Sequence, residues 1–198
     1  MASEAEKRIR DKAEALMRST WPSGRIVHEF DLGGARLDLA CILPDRLILG
    51  EVKSERDTLD RLHGQMRHAC AIGGPVLLFC AERWVGHRVD IPWSVLQLVE
   101  TGDGFVRFVG ANHRRPLEAH MHHQMHDRWC PRSLLKLLLK PELLALARPH
   151  GGRSRYDVAS LQNIAMDGLT GRELRHGVMA ALRARRFGWT CDKPIEVL

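Results

Sequence analysis

Residues 36–54, RLDLACILPDRLILGEVKS, constrain the fold more than any other stretch of the chain. They read as two apolar strands joined by a Pro44-Asp45 turn. Side chains alternate along a strand, so Arg36, Asp38, Ala40 and Ile42 share one face of the first strand, and Leu47, Leu49, Glu51 and Lys53 share one face of the second. Pairing through the turn lets Asp38 meet Glu51 and Lys53. Two carboxylates and an ammonium flanked by Leu39, Leu49 and Val52 are expensive to bury without compensation. A divalent cation supplies it, because Mg²⁺ takes a few carboxylate oxygens and leaves its other positions to water and phosphate. The lysine two residues past the glutamate can then orient or deprotonate water, or offset charge developing on phosphorus.

Glu51-Val52-Lys53, thirteen positions after Asp38, resembles the signature of the PD-(D/E)XK nuclease superfamily, in which an Asp and an E-x-K triplet on neighbouring strands bind the metal. Leu37 stands where the familiar motif has proline. Residues 57–65, DTLDRLHGQ, resemble the helix after the E-x-K strand, with Gln65 where RecB-like members carry a glutamine; Ala69 stands where those members often have tyrosine. An E-x-K triplet alone is a common solvated pair, and what sets this one apart is the apolar strand it ends and the capped helix after it.

The resemblance implies an α/β protein with a restriction-endonuclease-like mixed central sheet flanked by helices, its core RecB-like or resolvase-like, of a kind seen in small phage- and plasmid-borne proteins. It implies a hydrolase, a DNA endonuclease or nickase. Asp38 and Glu51, with the Val52 backbone carbonyl, would hold Mg²⁺ or Mn²⁺; Lys53 would position or activate water, and Gln65 would support it. Glu29 falls on the Asp38 side of the preceding strand and is the candidate for an extra ligand. Glu14, on the opening helix, is the candidate for a helix-borne carboxylate. DNA is the expected partner, with a homodimer wherever both strands are cut.

Charge distribution agrees with a polyanionic partner. Residues 1–131 hold 18 Lys+Arg and 18 Asp+Glu, whereas residues 132–198 hold 12 and 6, so the whole excess of +6 lies in the last third. Basic side chains on a phosphate backbone release counterions. Arg36 at the strand start and Arg153, Arg155, Arg183, Arg185 and Arg186 in the basic third are the candidate nucleic-acid contacts. No apolar run is long enough to span a bilayer, and the opening MASEAEKR has no signal-peptide core, which sets a cytoplasmic default and no membrane partner. Five widely spaced cysteines read as reduced.

Three segments follow from patterning: a core over residues 1–112, a His-rich linker over 113–131 and a basic helical subdomain over 132–198. In the core, a helix over 3–18 opens on a Ser3/Glu6 capping box, a strand follows over 25–32, and a helix is expected over about 57–71. Residues 76–80, VLLFC, are fully apolar and so belong in the middle of a sheet. A further strand before Thr101 turns through Gly102 to Gly104 into a hairpin. The C-terminal helices are expected over 133–140 and 142–147, split at Pro141, then over about 154–165, then from a Thr170 cap to Arg186. His113, His120, His122, His123 and His126, with Cys130 beyond, leave a zinc-stabilised interaction protein open as an alternative. A nuclease-fold module that binds DNA or protein with weak or absent cleavage is another.

Overall fold

A computed structural model describes residues 3–84, 92, 95–102, 104–107, 129–188 and 191–195. Helix α1, Glu4–Thr20, begins at Ser3, whose hydroxyl accepts the Glu6 N–H at 3.1 Å. Ala5, Ile9, Ala13 and Met17 recur at helical spacing and are its buried side.

Strands β1 (Arg25–Asp31), β2 (Arg36–Ile42), β3 (Leu47–Lys53), β4 (Val76–Cys80), β5 (Val95–Thr101) and β6 (Gly104–Arg107) lie in one sheet in chain order. The β1–β2, β2–β3 and β5–β6 pairs are antiparallel, while β3–β4 and β4–β5 are parallel. The mixed α/β sheet is therefore as expected. The Pro44-Asp45 hairpin pairs Ile42 with Leu47 and Leu39 with Gly50. β4, inner and wholly apolar, has all five residues buried.

Helix α2, Leu62–Ile72, fills the crossover between the parallel strands β3 and β4. It starts five residues later than expected. Asp57 is not available as its cap, because its carboxylate accepts both the Ser54 N–H at 2.7 Å and the Ser54 hydroxyl at 2.6 Å, closing a turn of its own.

The C-terminal helices are α3 (Pro131–Leu135), α4 (Lys140–Ala147), α5 (Val158–Gly168) and α6 (Gly171–Ala184). Pro141 lies in the first turn of α4, where a missing N–H costs nothing, so it helps to start the helix. α5 begins at 158 and not 154 because Asp157 is the cap, accepting the Ser160 N–H at 2.7 Å. The Thr170/Glu173 capping box on α6 is present. Buried leucines of these helices, Leu134, Leu135, Leu143, Leu161, Leu174 and Leu182, belong to the same hydrophobic cluster as the sheet, so the basic third shares the core.

Two arginines tie the halves reciprocally. Arg25, fully buried on β1, donates to the Leu182, Arg183 and Arg185 carbonyls at the end of α6, at 3.0, 2.7 and 2.6 Å. Arg183 of α6 donates back to the Ser23 and Ile42 carbonyls, each at 3.2 Å. Residues 191–195 then return to the sheet: Cys191 bridges Val27, and Asp192 both donates to the Ile26 carbonyl and accepts its N–H. Among the described residues no helix is long and apolar enough to cross a membrane.

Candidate active site

The β2–β3 ladder ends at Leu39 and Gly50, and Asp38 and Glu51 are the next residues along the two strands. Beyond that point the Asp38 side chain takes over from the backbone, its Oδ2 accepting the Val52 N–H at 2.7 Å. The N–H and C=O of one strand residue point to the same side, so the Val52 carbonyl also faces β2. Glu51 is 2% exposed, and its Oε1 accepts from Lys53 Nζ at 2.7 Å. Gln65, from α2, donates to the Arg36 carbonyl at 3.1 Å, and its amide also acts on Glu51. Asp38, Glu51, Lys53 and Gln65 thus come together from β2, β3 and α2.

Arg10 was not among the sequence candidates. Its Nη2 lies 2.6 Å from Glu6 Oε1 and 3.1 Å from Asp38 Oδ1, and its Nη1 lies 3.2 Å from Glu29 Oε1. The only signal for it was the Glu6/Arg10 spacing of four, which on a helix usually marks a solvated pair. Glu29 is the one described non-glycine residue at positive φ, 50°, a conformation that costs an L-residue on the order of 1 kcal/mol. Its other oxygen pairs with Arg36 Nε at 2.9 Å, so both carboxylate oxygens face arginines. Arg36 is itself 69% exposed along its side chain, at the rim of the cluster. Glu14 stands apart, held by Arg18 and by His28 at 2.9 Å.

Burial dominates the electrostatics. It pushes the Glu51 carboxyl up, with the Asp38 charge adding to the shift and Lys53 and Gln65 opposing it, to about 7. Burial also raises Asp38, against the Val52 N–H, Arg10 and Lys53, while Glu29 adds to the rise. A raised carboxyl favours the folded state below its unfolded pKa, near 4.5, and that contribution is lost as pH climbs through the folded value near 7. Glu51→Gln should remove this loss. In EDTA at pH 8 the variant is expected to be more stable than the parent by on the order of 3 kcal/mol, with the gain vanishing near pH 4, as urea melts at the two pH values would register.

Four buried side-chain polar atoms among the described residues have no hydrogen-bond partner in the structure, and three of them belong here: Arg10 Nε, Glu51 Oε2 and Gln65 Oε1. Buried acceptors without donors are rare in folded proteins and mark places where water or an ion belongs. Among the described residues no three His, Cys, Asp or Glu side chains cluster to hold a metal. A cation here would have the two carboxylates of Asp38 and Glu51, and the rest of its shell would have to come from backbone carbonyl, water or phosphate.

The basic candidates divide. Arg153, Arg155 and Arg186 are exposed. Arg183 is 8% exposed and bonded inward, and Arg185 pairs with Glu142 and the Leu137 carbonyl, so these two serve packing and not the surface. Neither is placed as expected, because Arg183 turns inward onto the Ser23 and Ile42 carbonyls and Arg185 is held by the segment that joins α3 to α4 and by Glu142 of α4. His113, His120, His122, His123 and His126 lie outside the described residues, and Cys130 is exposed.

A family model described as bacteriophage P4 protein cII matches residues 4–193. The chain belongs to that family. The match to the P4 cII family runs through both the sheet and the basic helices. None of the curated proteins compared matches the chain. Among solved structures the chain is similar to a protein of unknown function from Silicibacter pomeroyi, at 13% identity and a TM-score of 0.42, over 79% of this chain and 100% of that one.

Proposed function

We propose that this chain is a metal-dependent nuclease of the PD-(D/E)XK type that hydrolyses phosphodiester bonds in DNA. The observation that carries the reading is the convergence of Asp38, Glu51 and Lys53 from adjoining strands, with Glu51 Oε2 and Gln65 Oε1 buried and unpartnered beside them. The order α1-β1-β2-β3-α2-β4 agrees with it, and the phage origin in the family's description suits a protein of a phage or mobile element.

Asp38 and Glu51 would hold Mg²⁺ or Mn²⁺, with the Val52 carbonyl on the same side. When bound, the ion would lower the pKa of water and take up charge on the phosphate. Lys53, whose ammonium is anchored on Glu51 Oε1, presents its remaining N–H donors to water or to a phosphate oxygen. Gln65, fixed by its bond to the Arg36 carbonyl, has a buried amide oxygen without a partner, which would accept from that water. Arg36 at the rim supplies a positive charge where a phosphate backbone would approach.

The test is cleavage of single-stranded, duplex and branched DNA with Mg²⁺ or Mn²⁺, with EDTA as the control. Nicking that depends on the metal is the expected result. The exposed arginines of the basic third favour a second reading, a nuclease-fold module that binds DNA without cutting it. Salt-sensitive binding in EDTA with no product on any substrate would select that reading.

Under either reading Arg153 and Arg155 touch phosphate. The double substitution Arg153→Ala and Arg155→Ala is expected to weaken binding evenly across sequences and to lower the slope of log affinity against log salt by about 2, measured by fluorescence anisotropy.

A further inference from the structure

Arg10 holds a position that a metal site would not need filled. One guanidinium, reaching in from α1, meets carboxylates of three elements: Glu6 of its own helix at 2.6 Å, Asp38 of β2 at 3.1 Å and Glu29 of β1 at 3.2 Å. With the Val52 N–H on Oδ2 and Arg10 on Oδ1, both oxygens of Asp38 already accept a hydrogen bond. The Glu51 oxygen that faces no donor is the open half of the pair. Arg10 is itself incompletely satisfied there, since its Nε is buried without an acceptor. A guanidinium has five N–H donors in a fixed fork and cannot lose its charge, so it relieves Asp38 only by moving and never by deprotonating.

We infer that Arg10 is an exchangeable internal counter-ion: it neutralises Asp38 while no divalent cation is present, and it withdraws onto Glu6 and Glu29 when one binds. This rests on the nuclease reading of the site and adds to it a competition between an arginine of α1 and the metal for one oxygen, Asp38 Oδ1. Glu6 and Glu29 are the seats that let the arginine leave without being stranded as a buried unpaired charge.

The experiment is Mn²⁺ binding to the purified full chain without DNA, followed by the loss of the free-ion electron paramagnetic resonance signal, together with thermal melts in EDTA and in saturating Mn²⁺. Arg10→Gln is expected to bind Mn²⁺ about tenfold more tightly than the parent, the size expected when a charge-assisted bond no longer has to be broken first. It should melt lower in EDTA and regain more of its melting temperature on adding Mn²⁺. Arg18→Gln, on the same helix but bonded to Glu14 and Asp192, should leave the Mn²⁺ affinity unchanged. Equal or weaker affinity in Arg10→Gln, or equal tightening in both variants, overturns the exchange while the metal site stands. No Mn²⁺ binding by parent or variant overturns the exchange and the nuclease reading together. Should Arg10→Gln fail to fold, Glu6→Gln decides: with one seat gone Arg10 stays on Asp38, Mn²⁺ binds several-fold more weakly, and an unchanged affinity counts against the exchange.

Discussion

Lys53→Ala is expected to lower metal-dependent DNA cleavage by 10²- to 10⁴-fold, on the order of what a positioned proton-transfer or charge-stabilising group contributes. The substitution acts twice. It removes the ammonium that, on the proposed reading, meets water and phosphate. It also removes the cation 2.7 Å from Glu51 Oε1, which is one of the two influences holding the Glu51 carboxyl down against burial and the Asp38 charge. The Glu51 pKa therefore rises further, and residual activity should shift to higher pH, since a protonated carboxyl is a poor metal ligand. The fold should survive, because Lys53 lies at the end of β3 and its backbone still accepts the Ala81 N–H. The measurements are single-turnover cleavage from pH 6 to 9 and far-ultraviolet circular dichroism. A well-folded variant that cuts as fast as the parent removes Lys53 from the chemistry, and with it the assignment.

The largest effect on stability is expected at Arg25. Its guanidinium is fully buried and serves the open carbonyl end of α6 through the Leu182, Arg183 and Arg185 oxygens, the Asp192 carbonyl at 3.1 Å, and the Phe187 ring at 5.1 Å. A cation is favourable at a helix C-terminus, where unpaired carbonyls gather negative partial charge. Arg25→Ala leaves these acceptors without a donor and opens a cavity between sheet and helix, and is expected to cost about 3–5 kcal/mol. Arg25→Lys keeps the charge but loses the fork, and should fall between the two. Urea unfolding separates the cases: a loss below about 1 kcal/mol for the alanine variant would mean that water can replace the arginine.

These two residues also show what was legible from the amino-acid order. Asp38, Glu51 and Lys53 could be placed on one face because a strand has a period of two and Pro44-Asp45 is a turn signal, both local facts. The β5–β6 hairpin and the α6 capping box were legible for the same reason. Arg25 was not, because its hydrogen-bond partners lie 157 to 167 residues further on, and nothing near it in the chain distinguishes a buried arginine from one at an exposed strand start. Arg183 and Arg185 misled in the opposite sense: in a basic stretch they resemble a phosphate surface, yet distant carbonyls and, for Arg185, the Glu142 carboxylate draw them inward. Glu29 could be assigned to a face, but its positive φ and its two arginine partners could not be read from the strand pattern. The late start of α2 came from a competition, since a residue able to cap a helix can also close a turn, and Asp57 does the latter.

Because neighbouring strands in the sheet are also neighbours in the chain, residues 25–53 make a continuous meander that closes short loops and needs no distant partner to find its pairing. During synthesis, Glu29, Asp38 and Glu51 can be aligned before the basic helices leave the ribosome, with Arg10 already made to neutralise the first two and Lys53 the third. The acidic residues would then never need to gather as a bare cluster, and the order of translation itself would spare the nascent chain its worst repulsion.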